Sequence, residues 1–353
     1  MQLQLFEQTE KIHKFPSTRY QGSKAKFVDW IWYCIKDLKF NTVLDAFGGT
    51  GCVSYKFKQE GKQVVYNDIL NFNNVIGTAL IENNDVLLSD NDIEKIINPQ
   101  QGIEYPTFIF DTFKDIYFTD EENKWLDIVV TNINNMSNDY QKAIAKFALF
   151  QSCIIKRPYN LFHRKNLYVR LKDVERSLGN KKTWDTPFEV HFKKFVSEAN
   201  NAVFSNGFEN KSQLSDILQV EKTDYDLVYI DSPYISEKGV GVDYAGFYHF
   251  LEGLCDYENW KHRIDYNSKH LKLKSEISEW ADPKRIKQAF CKLIEKFKHS
   301  ILAISYRSDG TPSIDEIKDI LIANGKKVKI FESKEMRYVL SKKTSNEVLI
   351  LGY

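Results

Sequence analysis

The sequence has no paired cysteines and no long apolar runs, and both absences narrow the possible classes of protein. Its five cysteines are odd in number and form no C-x-x-C pair, and its seven histidines show no metal-ligand spacing. These patterns argue against a disulfide framework and against a metal site. The N-terminal residues lack the apolar core of a signal peptide, and no segment approaches the length of a membrane span. We therefore expect a cytoplasmic protein that contacts no membrane.

The chain also lacks an excess of charge of either sign. Lysine and arginine total 49 residues, aspartate and glutamate total 48, and the formal net charge is +1. A nucleic-acid partner would therefore have to bind a local basic patch on an otherwise balanced surface. The length of 353 residues is sufficient for one large α/β domain with an inserted lobe, and nothing in the sequence demands more than a monomer.

The sequence does contain short apolar strands that alternate with helical patterns, and several of the strands end in an acid. This alternation predicts an α/β fold with a mostly parallel sheet. The predicted strands are 41–47, 62–68, 226–231, 301–306, 326–332 and 346–353. The predicted helices are 23–38, which Ser23 would cap, the later part of 48–61, 282–300, which begins near Pro283, and 313–325. The pattern changes between the two halves, which predicts a core of residues 1–105 and 205–353 split by an insertion at 106–204.

The stretch DAFGGTG places a glycine turn after the strand that ends at Asp45. Its glycines allow the backbone to come close to a ligand at the start of the next helix. The spacing is not that of a dinucleotide fingerprint, because Ser54 stands where G-x-G-x-x-G requires a third glycine. Asp68 ends the next strand, where a carboxylate either accepts the hydroxyl hydrogens of a ribose or caps the following helix.

The stretch RYQGSKAKF begins a predicted helix with Gly22, Ser23 and Lys24. Free N–H groups at a helix start, together with a lysine, suit a carboxylate. An ordinary capped helix accounts for the same residues, so this stretch alone does not indicate a binding site.

The stretch DLVYIDSPYIS ends a buried strand with Asp231, Ser232, Pro233 and Tyr234. Ligands of parallel sheets bind outside the carboxyl ends of the strands, and Pro233 biases Ser232 away from helix. The Asp231 carboxylate and the Ser232 carbonyl can then accept both hydrogens of one amino group, while Tyr234 offers a flat face to a planar ring. The alternative is a turn with a capping aspartate and a surface tyrosine.

Three of these stretches together resemble the motifs of a known family. DSPY resembles the [DNS]-P-P-[YFW] signature of amino-group methyltransferases, DAFGGTG resembles their D-x-F-x-G-x-G motif, and RYQGSK resembles the W-x-G-G-K stretch of Dam-like enzymes. YAGFYHFLEGLCDYEN also resembles the Y-H-x-L-E segment of this family. The order of the motifs is similar to that of the alpha group of DNA adenine-N6 methyltransferases. Ser232, Tyr20 and Ser23 depart from the usual proline, tryptophan and glycine.

The resemblance implies a Rossmann-like methyltransferase core that binds S-adenosylmethionine, with 106–204 as an inserted target-recognition region. Tyr20 would pack against the cofactor, Lys24 and the glycine loop would hold its methionine end, and Asp68 would accept its ribose hydroxyls. The cofactor-binding residues implied are Tyr20, Gly22, Lys24, Asp45, Phe47, Gly49, Gly51, Asp68 and Asp216.

The resemblance also implies methyl transfer to N6 of an adenine flipped out of double-stranded DNA. Asp231 and the Ser232 carbonyl would hold the amine, and Pro233 would fix the backbone that aims them. Tyr234 would stack on the base, and Tyr338 is a candidate second aromatic. A cognate restriction endonuclease is a functional partner that the resemblance suggests. Transfer to another planar amine (cytosine N4, an RNA adenine or a protein glutamine) and a catalytically silent DNA-binding module remain alternatives.

A basic segment within the insertion, IIKRPYNLFHRKNLYVRLKD, mixes cations with aromatic residues. Neutralisation of phosphates together with contacts to bases is the functional interpretation, and a solvated charged face is the alternative. The predicted DNA-binding residues are Lys156, Arg157, Arg164, Lys165 and Arg170.

Overall fold

The computed structural model describes residues 13–172, 180–236, 239, 241–333 and 346–353. Helices surround a central sheet. The strands are β1 (Thr42–Asp45), β2 (Gln63–Asp68), β3 (Lys211–Leu214), β4 (Leu227–Ile230), β5 (Ile235–Ser236), β6 (Ile301–Arg307), β7 (Gly310–Thr311), β8 (Val328–Glu332) and β9 (Glu347–Gly352). The helices are α1 (Val28–Ile35), α2 (Cys52–Gln59), α3 (Asn71–Gly77), α4 (Asp90–Ile97), α5 (Phe108–Thr112), α6 (Asp120–Asn134), α7 (Asp139–Ile155), α8 (Leu167–Leu171), α9 (Asn180–Asp185), α10 (Phe188–Ala202), α11 (Tyr244–Cys255), α12 (Trp260–Arg263), α13 (Ile286–Lys296) and α14 (Ile314–Ala323).

Among the described residues, the central sheet has seven strands in the order β3-β2-β1-β4-β6-β9-β8. The pairs from β3 to β6 are all parallel, whereas β9 runs antiparallel to both β6 and β8. This is the mostly parallel α/β sheet that the sequence predicts, including the closing antiparallel strand pair. The order reverses direction at β1, which has β2 on one side and β4 on the other, and ligands of such sheets bind at that point.

The inner strands of the sheet are apolar because helices cover both faces, whereas the edge strand β3 is partly exposed. All four residues of β4 are buried, and β9 is buried along its whole length. Polar side chains occur where the strands end: Asp45 is the last residue of β1, Asp68 is the last of β2, and Asp231 follows β4. Because β2, β1 and β4 are neighbours, these three carboxylates meet at one edge of the sheet.

Two predicted helices begin later than the sequence suggests. Helix α1 begins at Val28, with Phe27 before it and no side-chain cap, so Ser23 lies in the preceding turn. Helix α13 begins at Ile286, three residues after Pro283, because residues 282–285 form a turn. By contrast, α14 begins where predicted, since Ser313 and Glu316 form a reciprocal capping box.

The helices of residues 106–204 share a core with the sheet. Phe147 of α7 and Phe195 of α10 belong to the same buried apolar cluster as Val43 of β1 and Leu227 of β4. Helix α7 buries every residue from 143 to 155. The insertion is thus packed on the sheet by a continuous core, and its outer boundaries remain a prediction. Within the described residues, no helix is long and apolar enough to cross a membrane.

Candidate active site

A cavity of about 390 Å³ lies at the edge of the sheet where β1, β2 and β4 end. This volume lies within the range usual for small-molecule sites. The cavity is lined by the four residues of the DSPY stretch and by eight of the nine predicted cofactor residues. Gly51 does not line it, because this glycine caps α2 with a φ of 77° directly behind the loop.

The glycine turn brings backbone close to the cavity at the end of β1. A Cβ at Gly48 would overlap the ring of Tyr66, and Gly49 has a φ of 51°, so both positions favour glycine. Behind the turn, Asp45 accepts a hydrogen bond from Ser54 Oγ at 2.6 Å through Oδ2. Its buried Oδ1 has no partner among the described residues. Burial raises the pKa of Asp45 to about 7. Because Asp45 lines the cavity, its Oδ1 is available to a ligand there.

Asp68 ties the glycine turn to the next helix. Its Oδ2 accepts from Gly49 N at 2.9 Å and from Asn73 Nδ2 at 3.1 Å, and its Oδ1 accepts from Leu70 N at 2.9 Å. Leu70 is the N-cap residue of α3 and has no side-chain cap, so Asp68 is not the cap of this helix. Burial raises the pKa of Asp68 despite these hydrogen bonds.

Tyr20 lies in a stack of three parallel tyrosine rings. Its ring centroid is 4.7 Å from that of Tyr248 and 5.5 Å from that of Tyr244, at interplanar angles of 6° and 5°. Gly22 has a φ of 83°, and a Cβ there would meet the Tyr244 hydroxyl. Tyr20 thus stacks with two tyrosines and also lines the cavity. Tyr244, at the start of α11, also lines the cavity, and the sequence analysis did not single it out.

Lys24 is buried, and it bridges two carboxylates. Its Nζ lies 2.7 Å from Glu347 Oε1 and 3.3 Å from Asp231 Oδ1, and it also donates to the Tyr234 hydroxyl. An ammonium group has three hydrogens, and these contacts use all of them. Burial would lower the pKa of Lys24, but Asp231 and Glu347 together outweigh it and raise the pKa. The predicted contact of Lys24 with a cofactor carboxylate does not fit this arrangement.

Asp231 is held through one of its two oxygens. Oδ1 receives Lys24 and, at 2.7 Å, the Tyr234 hydroxyl, whereas among the described residues no hydrogen bond to Oδ2 is found. Burial raises the pKa of Asp231 to about 6, and Lys24 limits the rise. The neighbouring Ser232 is buried, and its hydroxyl has no partner among the described residues. The arrangement leaves Asp231 Oδ2 for a hydrogen-bond donor.

The far wall of the cavity is aromatic. Phe47 packs edge-on against Trp280, with ring centroids 4.8 Å apart, and both rings line the cavity together with Asp216. Asp216 is half-buried and accepts from Leu218 N at 3.0 Å. Trp280 comes from the polar segment after the DSPY stretch and was missed by the sequence analysis. The sequence feature that could have indicated Trp280 as a cavity residue is a tryptophan within an otherwise polar loop.

Three of the five predicted DNA-binding residues are inside the protein. Lys156, Arg157 and Arg170 are 2%, 1% and 5% exposed. Lys156 and Arg170 both pair with Glu122, and the Lys156 ammonium also donates to two backbone carbonyls. Arg157 donates to the carbonyls of three residues and to Asn166. These cations cannot reach a phosphate, so their prediction as DNA contacts is wrong.

The remaining part of the basic segment is on the surface. Arg164 and Lys165 are exposed, and the neighbouring rings of Tyr159 and Tyr168 are 71% and 59% exposed. Arg157 stabilises this loop from below, because it binds the carbonyl of Arg164. Tyr338, predicted as a second stacking aromatic, lies outside the described residues.

The chain is similar to proteins of a known family. Residues 20–337 match the family model of the D12 class N6 adenine-specific DNA methyltransferases. The Type II methyltransferase M2.HphI of Haemophilus parahaemolyticus is 31% identical over 95% of this chain and 96% of its own length. The Type II methyltransferase M.FokI of Planomicrobium okeanokoites is 27% identical over 87% of this chain, which spans 47% of that longer protein. The Type II methyltransferase M.NlaIII of Neisseria lactamica is 23% identical over 87% of this chain.

Proposed function

Because the chain belongs to the D12 class N6 adenine-specific DNA methyltransferases, we propose that its cavity binds S-adenosylmethionine and that Asp231 holds the adenine amine. The observation that carries this proposal is the half-satisfied Asp231 carboxylate. One of its oxygens is fixed by a lysine and a tyrosine, and the other is left at the mouth of a cavity between strand tips. A purely structural carboxylate in this place would be expected to have partners on both oxygens.

The residues of the cavity fit this cofactor. The unpartnered Asp45 Oδ1 suits an ammonium group, such as that of a methionine moiety, and the turn at Gly49 allows a ligand to approach the backbone. Asp68, at the tip of β2, would accept the ribose hydroxyls, and Asp216 and Phe47, which line the same cavity, would contact the adenine ring. When bound, S-adenosylmethionine supplies an electrophilic methyl group on a sulfonium.

The DSPY stretch then positions the nucleophile. Asp231 Oδ2 and the Ser232 carbonyl accept the two hydrogens of N6, which localises the nitrogen lone pair that the adenine ring otherwise withdraws. This contribution is one of orientation and electrostatics. After transfer, N6 carries one proton too many, and Asp231, with a pKa raised to about 6 by burial, is a suitable acceptor. Tyr234 offers its ring to the base, while its hydroxyl holds Asp231.

DNA binding is assigned to the exposed part of the insertion. Arg164 and Lys165 would contact phosphates, and the adjacent Tyr159 and Tyr168 would contact bases or sugars. The target amine is hidden within a duplex, so the adenine must leave the base stack to reach Asp231. We propose that the enzyme acts as a cytoplasmic monomer. The relatives are named as type II methyltransferases, so we also propose that a restriction endonuclease of the same specificity accompanies it.

The experiment that tests these roles separates cofactor binding from transfer. We expect Asp231→Asn to bind S-adenosylmethionine in calorimetry as the wild type does, and to lose transfer to duplex DNA. We expect Asp68→Asn to weaken cofactor binding at least tenfold. Loss of cofactor binding in Asp231→Asn, or full transfer by it, would contradict the assignment.

A further inference from the structure

We propose that Glu347 is a positioning residue for the reaction: it holds the Lys24 ammonium between itself and Asp231, and so limits the positive charge that Lys24 places on the catalytic carboxylate. The inference takes only the identity of the amine from the proposed function. The arrangement of the three side chains is independent of it.

The topology of the sheet explains how the last strand reaches the site. Glu347 is the first residue of β9, which runs antiparallel to β6. Its register partner is Arg307, the last residue of β6. The start of β9 therefore lies at the same edge of the sheet as the end of β4, where Asp231 follows. An antiparallel closing strand is what allows its first residue to enter a site built from the ends of parallel strands.

Glu347 is a buried acid in an apolar strand, and such a residue persists only with close partners. It is 1% exposed, and the rest of β9 is also buried. Its Oε1 accepts from Ser305 Oγ at 2.6 Å and lies 2.7 Å from Lys24 Nζ. The distance from Lys24 to Glu347 is shorter than the 3.3 Å from Lys24 to Asp231 Oδ1. The Lys24 ammonium therefore makes its closer ion pair with Glu347 and a longer one with Asp231.

This sharing has a chemical consequence. A lysine paired with Asp231 alone would make that carboxylate a weak base and a weak hydrogen-bond acceptor. With Glu347 present, two carboxylates divide one ammonium, so Asp231 retains more negative charge for the amine. The direction agrees with the electrostatics: after burial, Lys24 lowers the pKa of Asp231 and Glu347 raises it.

Other titratable groups surround Asp231. In addition to burial, the Asp231 charge raises the pKa of Asp45 of β1, Cys52 of α2, Tyr229 of β4, Tyr234 of the DSPY stretch and Tyr244 of α11. Lys24 is the cation that closely approaches Asp231 among the described residues. Glu347 is the acid that raises the pKa of Asp231, and it contacts Lys24 directly.

The test is the substitution Glu347→Gln, which keeps the shape and the hydrogen-bond acceptor and removes the charge. We expect the acid limb of kcat to move to lower pH, and we expect kcat at pH 7.5 to fall about tenfold with little change in KM. Lys24→Met should move the acid limb in the opposite direction, by about one pH unit or more. NMR titration of the Asp231 carboxyl in the free protein should show the same two directions without reference to activity.

The matched control is Glu252→Gln. Glu252 is also buried, but it accepts from Phe72 N and Asn71 at the start of α3 and so has a structural role. We expect this variant to lose stability and to keep the wild-type acid limb. The proposal would be overturned if Glu347→Gln titrated like the wild type in NMR, or if it kept the wild-type kcat and acid limb. A different result would separate the two claims. If the NMR titrations shift as expected but the wild type transfers no methyl group to DNA, the role of Glu347 stands and the proposed function is contradicted.

Discussion

Removing the Tyr234 hydroxyl should make the enzyme more sensitive to acid. In Tyr234→Phe the ring remains for a base, but Asp231 Oδ1 loses the hydrogen bond that it accepts at 2.7 Å. A hydrogen bond to a charged acceptor contributes about 1.5 kcal/mol or more, and one pKa unit corresponds to about 1.4 kcal/mol. Burial already raises the pKa of Asp231 to about 6. In the variant we expect this pKa to rise by about one further unit, to about 7.

The size of the effect depends on the pH of the assay. An ionised Asp231 is needed to accept hydrogens, so its ionised fraction at pH 6 should fall from about one half to about one tenth. Initial rates of methyl transfer at saturating substrates should therefore drop about fivefold at pH 6 and recover above pH 8.5.

The control for this prediction is Tyr306→Phe. Tyr306 packs edge-on against Tyr234, and its buried hydroxyl has no partner among the described residues. Its removal should leave the pH profile of the wild type. A Tyr234→Phe profile that coincides with the wild type, or a loss that does not recover at high pH, would refute the role given to this hydroxyl.

Three further predictions concern stability and DNA binding. Glu122→Gln leaves two buried cations without their carboxylate, so the free energy of unfolding in urea should fall by about 3 kcal/mol or more; an unchanged urea midpoint would contradict it. Arg164→Ala and Lys165→Ala should weaken binding to all DNA sequences alike, and each should reduce the slope of log K against log salt by about 0.9. Slopes equal to that of the wild type would show that these residues do not contact phosphates. His249 is fully buried, and burial lowers its pKa to about 3 from 6.5. As the pH falls below 6.5, His249 binds a proton in the unfolded protein but not in the folded one. The free energy of unfolding therefore decreases, by about 2 kcal/mol at pH 5. His249→Gln should lack this part of the pH dependence, and an identical loss in both proteins would show that other groups cause it.

The strand tips were predictable from the sequence because each is a local pattern. Asp45, Asp68 and Asp231 each end a short apolar run, and parallel strands bring such ends to one edge. The capping box at Ser313 is local in the same way. These features need only a few consecutive residues to be recognised.

The errors concern contacts between distant parts of the chain. Lys156 and Arg170 look like surface cations because their partner, Glu122, lies more than thirty residues before either. Charged and aromatic residues alternate equally well on a DNA-binding surface and in a buried ion-pair network, so composition does not distinguish the two. The role of Lys24 could not be predicted either, since one of its two acids, Glu347, comes from the last strand. The sequence feature that could have indicated Glu347 as a partner of Lys24 is a single acid directly before the apolar run VLILG.

The measurement that tests the central claim most directly is analysis of the product. Purified wild type and Asp231→Ala would each be incubated with unmethylated genomic DNA and labelled S-adenosylmethionine, and the DNA would be digested to nucleosides. The account predicts label in N6-methyladenine with the wild type and none with the variant. Label in N4-methylcytosine, or label in N6-methyladenine that persists in Asp231→Ala, would contradict it.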